Sequence, residues 1–244
     1  MKKILIFVLL GVTIFTCKEN SKQTEGTLEE IEKEVNSKVE WITLFDGTSL
    51  EKWRGYLTDE MHPEWTIEDG TLVFNPGENG GKNIITKDTF TNFELSIEWK
   101  ISEGGNSGIF FGVFEDPSLN EAYQSGPEIQ VLDNERHPDA KANPKYHQAG
   151  ALYDLVQPEK DVCHPAGEWN LCVLKVNHKT NEGEVKLNGT KIVSFPLHGE
   201  AWDTMVENSK FKGWEHFGKH HTGHIGLQDH GDKVWFRNIK IKKL

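Results

Sequence analysis

Beyond residue 41, apolar and polar residues alternate with a period of two through much of the chain, the spacing of strands with one buried and one wetted face. The clearest run is FELSIEWKI, in which Phe93, Leu95, Ile97 and Trp99 alternate with Glu94, Ser96, Glu98 and Lys100. EWNLCVLKVNHKTNEGEVKLNGTKIVSF reads as three more strands joined by Asn- and Gly-rich turns, and VWFRNIKIKK as the last strand. Asp69-Gly70 within WTIEDGTLVF and Asn188-Gly189 within KLNGTK are hairpin signals. No long segment keeps a helical period. Short strands at regular spacing, with 23 glycines for the turns, predict an all-β fold: a jelly-roll sandwich of two antiparallel sheets.

The chain opens differently. MKKILIFVLLGVTIFTC sets Lys2 and Lys3 before an apolar run from Ile4 to Phe15 and reaches Cys17, the layout of an export signal over 1–17. Ile14-Phe15-Thr16-Cys17 resembles the lipobox of bacterial lipoproteins, with Thr16 where Gly, Ala or Ser is usual. That resemblance implies lipidation at Cys17 and anchoring at a membrane; ordinary secretion is the alternative, and either way the folded part is expected in the cell envelope, periplasm or outer surface. Residues 18–40 are polar and acid-rich, with only Leu28, Ile31 and Val35 at helical spacing, and read as a tether to a domain spanning 41–244. In an oxidising compartment Cys163 and Cys172 could bridge or remain two separate thiols. The net charge of −11 argues against nucleic acid as a partner, since phosphate binding draws on Lys and Arg. A neutral or polar small substrate fits better.

Candidate chemistry concentrates in three places. In GPEIQVLDNERHPD a strand would put Glu128 and Gln130 on one face, two long hydrogen-bonding side chains suited to a substrate with many hydroxyls; a solvated outer face is the plainer reading. A long loop follows, carrying His137, His147, Tyr153, Asp154 and His164, and loops of that length in compact domains are functional or disordered. His147 stands out as a proton carrier beside GALYD. GGNSGIFFG offers Asn106 at the rim of a site, or simply a glycine turn. Near the C-terminus, the alternation of Ile225 and Leu227 with Gly226 and Gln228 turns Gln228 away from the apolar face; His230 joins it as a candidate, while Asp229 reads as a turn former. Trp53, Trp202 and Trp214 are the stacking candidates, Trp99 and Trp235 core, and His216, His220, His221 and His224 match no compact zinc spacing.

The motifs LFDGTSLEKWRGY, NFELSIEWKISEGGNSGIFFGV, EIQVLDN, GALYD, AGEWN, LNG and IGLQDHGDKVWFRNIKIK, in that order from about Trp41 onward, resemble the 3-keto-disaccharide hydrolase family. The resemblance implies a concanavalin-like jelly roll whose concave face binds carbohydrate, and cleavage of 3-keto-glycosides supplied by a separate sugar oxidoreductase, by elimination and hydration or by net hydrolysis. Many relatives end SGIFFR with Arg where this chain has Gly112. A base, an acid and an enolate stabiliser are required. Glu128, His147 and His230 are the expected base and acid, and Asn106, Gln130, Tyr153 and Gln228 the expected substrate-binding groups; a divalent metal held by some of them would act as a Lewis acid. Two rival readings stay open: a non-catalytic carbohydrate-binding module, and a conventional glycosidase pairing Glu128 with Asp133 or Asp154.

Overall fold

A computed structural model describes residues 40–244 apart from 79, 81 and 144. The expected export signal, Cys17 and all but the last residue of the tether lie outside the described residues. Thirteen strands follow in order: β1 (Ile42–Phe45), β2 (Trp53–Gly55), β3 (Trp65–Glu68), β4 (Thr71–Phe74), β5 (Ile84–Thr86), β6 (Phe93–Ile101), β7 (Asn106–Val113), β8 (Glu128–Leu132), β9 (Asn170–Asn177), β10 (Glu182–Leu187), β11 (Thr190–Phe195), β12 (His224–Leu227) and β13 (Val234–Lys243). An eight-stranded sheet runs β11-β10-β9-β6-β13-β4-β3 with β1 also on β13, and a five-stranded sheet runs β2-β5-β12-β7-β8. Every pairing is antiparallel. The structure is the two-sheet jelly roll that the alternation predicts.

The sequence pattern translates directly into packing. β6 alternates buried and half-buried along its whole length, and its inward Leu95, Ile97 and Trp99 share one core with Ile109, Ile129, Val131, Ile225 and Leu227 of the smaller sheet. Both hairpin signals hold: Asp69 and Gly70 join β3 to β4 with φ of 48° and 71°, and Asn188 and Gly189 join β10 to β11 with φ of 50° and 80°. These are backbone positions that Asp, Asn and Gly reach with least strain.

Helix α1 (Asp139–Ala142) lies in the long loop, and α2 (Glu200–Glu207) follows β11. α2 gave no helical period because it buries one residue only, Trp202, and is too short to repeat a stripe. Trp202 and Trp53 are thus core residues, not stacking platforms, and the Trp53 indole donates to the Leu44 carbonyl at 2.9 Å. Trp99 is core as expected, but Trp235 stands half-buried on the outer face of the large sheet, with Lys100 and Lys233 over its ring. Cys163 and Cys172 are both free, the latter inside the core on β9.

The smaller sheet positions the site. One of its faces closes the core; the other presents Glu128 and Gln130 of β8, Gly108 and Phe110 opposite them on β7, and Gly226 of β12. β8 is the outermost strand, yet its open side is occupied. Gly150 N–H donates to the Gln130 carbonyl at 2.8 Å, Gln130 N–H to that of Ala151 at 3.1 Å, and Tyr153 N–H to that of Glu128 at 2.9 Å. The GALYD segment is therefore laid along β8 as a short extra strand, bridged through Leu152 to Ile129.

Candidate active site

Above this face opens a pocket of about 390 Å³ lined by Asn106, Tyr123, Glu128, Gln130, Tyr153, Lys210, Phe211, Trp214, Gln228 and His230. Its floor is set by strand register. Gly108 pairs with Gln130 and Phe110 with Glu128, so the β8 side chains lie over β7. A Cβ at Gly108 would come within 2.1 Å of Glu128 Oε1. Only glycine leaves room for the carboxyl group there.

Glu128 is the chemical centre of the floor. With its amide oriented to satisfy its neighbours, Gln130 Nε2 donates to Glu128 Oε1 at 3.0 Å and to the Ser107 carbonyl at 2.9 Å. Burial pushes the Glu128 carboxyl up to about 8, against the pull of the Lys210 ammonium group; Asp139 adds to the rise, and the Gln228 amide opposes it. Two further acceptors, Asn106 Oδ1 and Gln228 Oε1, are buried and receive no hydrogen bond. No protein donor reaches either oxygen, so both can accept from a hydroxyl that enters the pocket. Both backbones are pinned: Asn106 N–H donates to Asp232 Oδ2 at 3.0 Å, and Gln228 donates to the Gly108 carbonyl at 3.0 Å while accepting from Ser107 Oγ at 2.9 Å. Asn106 belongs to the floor, not the rim.

His147, expected as an acid or base, does not line the pocket. Its Nδ1 meets Asp139 Oδ1 at 2.8 Å and its Nε2 meets Asp154 Oδ1 at 2.9 Å, so both ring nitrogens are engaged by carboxylates. The ring stacks behind Tyr153 at 4.2 Å between centroids, and the Tyr153 hydroxyl donates to Asp139 Oδ2 at 3.0 Å. Asp154 Oδ2 in turn accepts the Lys210 backbone N–H at 2.9 Å. Lys210 Nζ lies 4.1 Å from the centre of the Tyr153 ring. His147 is thus a clamp, through which α1, Tyr153 and the turn bearing Lys210 are tied together. Burial, then the charge and hydrogen bond of Asp139, push the Tyr153 phenol upward, which suits it to binding and not to proton removal.

Sequence reasoning placed Glu128, Gln130, Asn106, Tyr153, Gln228 and His230 on candidate surfaces, and the fold brings all six to one pocket. Asp229 is the turn former it reads as, capping Gly231 and Lys82 N–H groups at 2.8 and 3.1 Å. Asp133 binds the Gly104 and Glu135 N–H groups at 2.7 and 3.1 Å and holds a turn. Neither Asp133 nor Asp154 lines the pocket, which leaves Glu128 as its one carboxyl group among the described residues. Lys210, Phe211 and Tyr123 were missed, since a lone Lys or aromatic residue in loop text carries no periodic signal. Trp214 was the stacking candidate that does line the pocket. Gly112 lies off it, at φ 63° with the His220 carbonyl 3.0 Å from where a Cβ would stand.

Among the described residues no three His, Cys, Asp or Glu side chains converge to hold a metal ion. The pocket offers one carboxyl, one imidazole at the rim and neutral amides, and the Lewis-acid metal that the sequence left open is not assigned by this donor set.

A family model described as "3-keto-alpha-glucoside-1,2-lyase-like domain" matches residues 40–242. A Bacteroides thetaiotaomicron protein named 3-keto-disaccharide hydrolase is 40% identical over 231 residues, covering 84% of this chain and 78% of that protein. A solved structure from Parabacteroides distasonis, provisionally described as a glycosyl hydrolase, is 30% identical with a TM-score of 0.77, covering 87% of this chain and 97% of its own. The laminarinase of Rhodothermus marinus, 10% identical with a TM-score of 0.50 over 84% of this chain and 98% of its own, shares the fold alone.

Two outcomes follow from the buried groups. Because Glu128 is raised from 4.5 to about 8, the folded chain holds a proton there that the unfolded chain releases; its contribution to stability is full below about pH 4.5 and is lost as pH rises to about 8. Glu128→Gln abolishes that loss, so the variant's unfolding midpoint is expected to climb above wild type across this window in denaturant titrations run at several pH values. His147→Leu strands the Asp139 and Asp154 oxygens and is expected to cost roughly 1–3 kcal/mol per unsatisfied group in the same measurement.

Proposed function

The chain belongs to the 3-keto-alpha-glucoside-1,2-lyase-like family and is a carbohydrate-active enzyme, and from that premise we propose that it cleaves the glycosidic bond of 3-keto-glycosides with Glu128 as the proton carrier. A ketone at C3 acidifies the hydrogen on C2. Glu128 takes that proton, the C2–H electron pair forms the C2–C3 enolate, and collapse of the enolate expels the aglycone oxygen from C1, leaving a C1–C2 double bond conjugated to the ketone. Addition of water across that bond returns a proton to C2 and hydroxyl to C1. The lyase and net hydrolase outcomes differ only in whether water adds before release.

What supports this reading is the one carboxyl group that lines the pocket among the described residues, raised to about 8 and surrounded by amides. A base of that strength is far better matched to a carbon acid than an ordinary carboxylate. Amide N–H groups of Asn106 and Gln228 would stabilise the enolate oxygen, while their unpaired acceptor oxygens take sugar hydroxyls. Tyr153 lines the sugar site, and His230, exposed at the rim, would protonate the departing oxygen. A conventional glycosidase needs two carboxyl groups flanking the bond, and among the described residues this pocket wall carries one.

The N-terminal layout further supports export and lipid anchoring through Cys17, where the enzyme would receive sugars already oxidised at C3 by an oxidoreductase. Cys17→Ser is expected to move the protein from the membrane fraction to the soluble one; unchanged fractionation would count against an anchor. For the activity itself, the domain from Trp41 onward is incubated with a chromogenic glucoside and with its 3-keto derivative. Release from the keto sugar alone is expected, with kcat/KM rising through about pH 8 and falling at least 100-fold in Glu128→Gln. Release from the unoxidised glucoside points to a conventional glycosidase; binding without release from either points to a carbohydrate-binding module.

A further inference from the structure

The pocket is graded in depth. Gln130, Asn106, Gln228 and Glu128 are 1%, 3%, 6% and 8% exposed, whereas Tyr123 is 38% exposed and Trp214 half-buried. A leaving group has to depart toward solvent, so a sugar seated with C2 over Glu128 directs its aglycone to the mouth. One side of that mouth is aromatic. The Tyr123 and Trp214 rings lie 6.0 Å apart and tilted by 41°. Trp214 is braced edge-on by Phe211 at 5.2 Å and 78°, and by Phe217 at 6.3 Å and 86°. Those two rings are buried and stacked on each other at 3.8 Å. An indole held this way presents a fixed apolar face that loses little freedom when something settles on it.

We propose that Tyr123 and Trp214 form an aglycone subsite that selects glycosides whose leaving group is a ring with an apolar face, a sugar or an aryl group, over open-chain alcohols. The proposal rests on the reading above for which end of the substrate meets the floor. A ring lays a flat set of C–H groups or a π-face against the indole, and it brings no internal rotations to be frozen. An open chain of equal leaving ability offers less area and more rotors.

The experiment uses the 3-keto-glucosides of cyclohexanol and 2-propanol, both secondary alcohols, so that leaving ability is matched and only the ring differs. Wild type is expected to favour the cyclohexyl substrate in kcat/KM. In Trp214→Ala that preference falls about 2–12-fold, the equivalent of one aromatic contact, mainly through KM. Tyr123→Ala, at a more exposed position, gives a second and smaller fall. Equal losses on both substrates, or a preference that survives the double variant, overturn the subsite. Phenyl and glucosyl 3-keto-glucosides then assign the ring: the larger wild-type to Trp214→Ala ratio identifies the leaving group accommodated. Should wild type turn over none of these, the reaction assignment fails, and calorimetry with cyclohexyl and 2-propyl glucosides still decides the subsite. Tighter cyclohexyl binding that Trp214→Ala abolishes upholds it, and equal binding overturns it.

Discussion

A carboxyl group buried on the pocket face of the smaller β-sheet is the constraint around which the rest of this molecule is arranged. Cut off from water, Glu128 keeps its proton well above the ordinary carboxylate range, and that cost has to be offset elsewhere in the fold. The offset comes from register. Gly108 stands across the ladder with no side chain, Gln130 turns its amide toward Oε1, and the Lys210 charge reaches in from a distant loop. Shift β8 by one residue and Ile129 would take the place of Glu128, since side chains change faces at every step.

How much of this could be read in the chain depends on whether a feature is periodic. The alternation of Phe93 through Ile101 fixed a strand and its buried face, and Asp69-Gly70 and Asn188-Gly189 fixed two turns, because each is a local rule. The shared face of Glu128 and Gln130, and the turning of Gln228 away from the core, follow from the same period of two. What the period cannot convey is which polar face is roofed over. A wetted strand and a pocket floor have the same spelling, and all five residues of β8 turn out to be buried. Lys210, Phe211 and Tyr123 were invisible for a related reason: they reach the pocket only because loops 209–218 and 121–125 fold over it, a fact of tertiary geometry with no local signature.

His147 shows the complementary failure. Its residue type and its place beside GALYD suggested proton transfer, yet the fold spends both ring nitrogens on Asp139 and Asp154. Its influence on the site is exerted through others: Tyr153 by stacking, Lys210 by way of Asp154. A histidine in a functional loop can thus matter to the chemistry without touching a reacting atom, and only the partner of each nitrogen distinguishes the two cases.

The GALYD segment has a consequence beyond the pocket. By occupying the open side of β8 it leaves the outermost strand of the smaller sheet without a free row of donors and acceptors, the feature through which sheets of separate molecules recruit one another. The loop that carries Tyr153 therefore also closes this edge to a further strand, so changes that relax it to admit a new sugar would expose the edge of β8 at the same time.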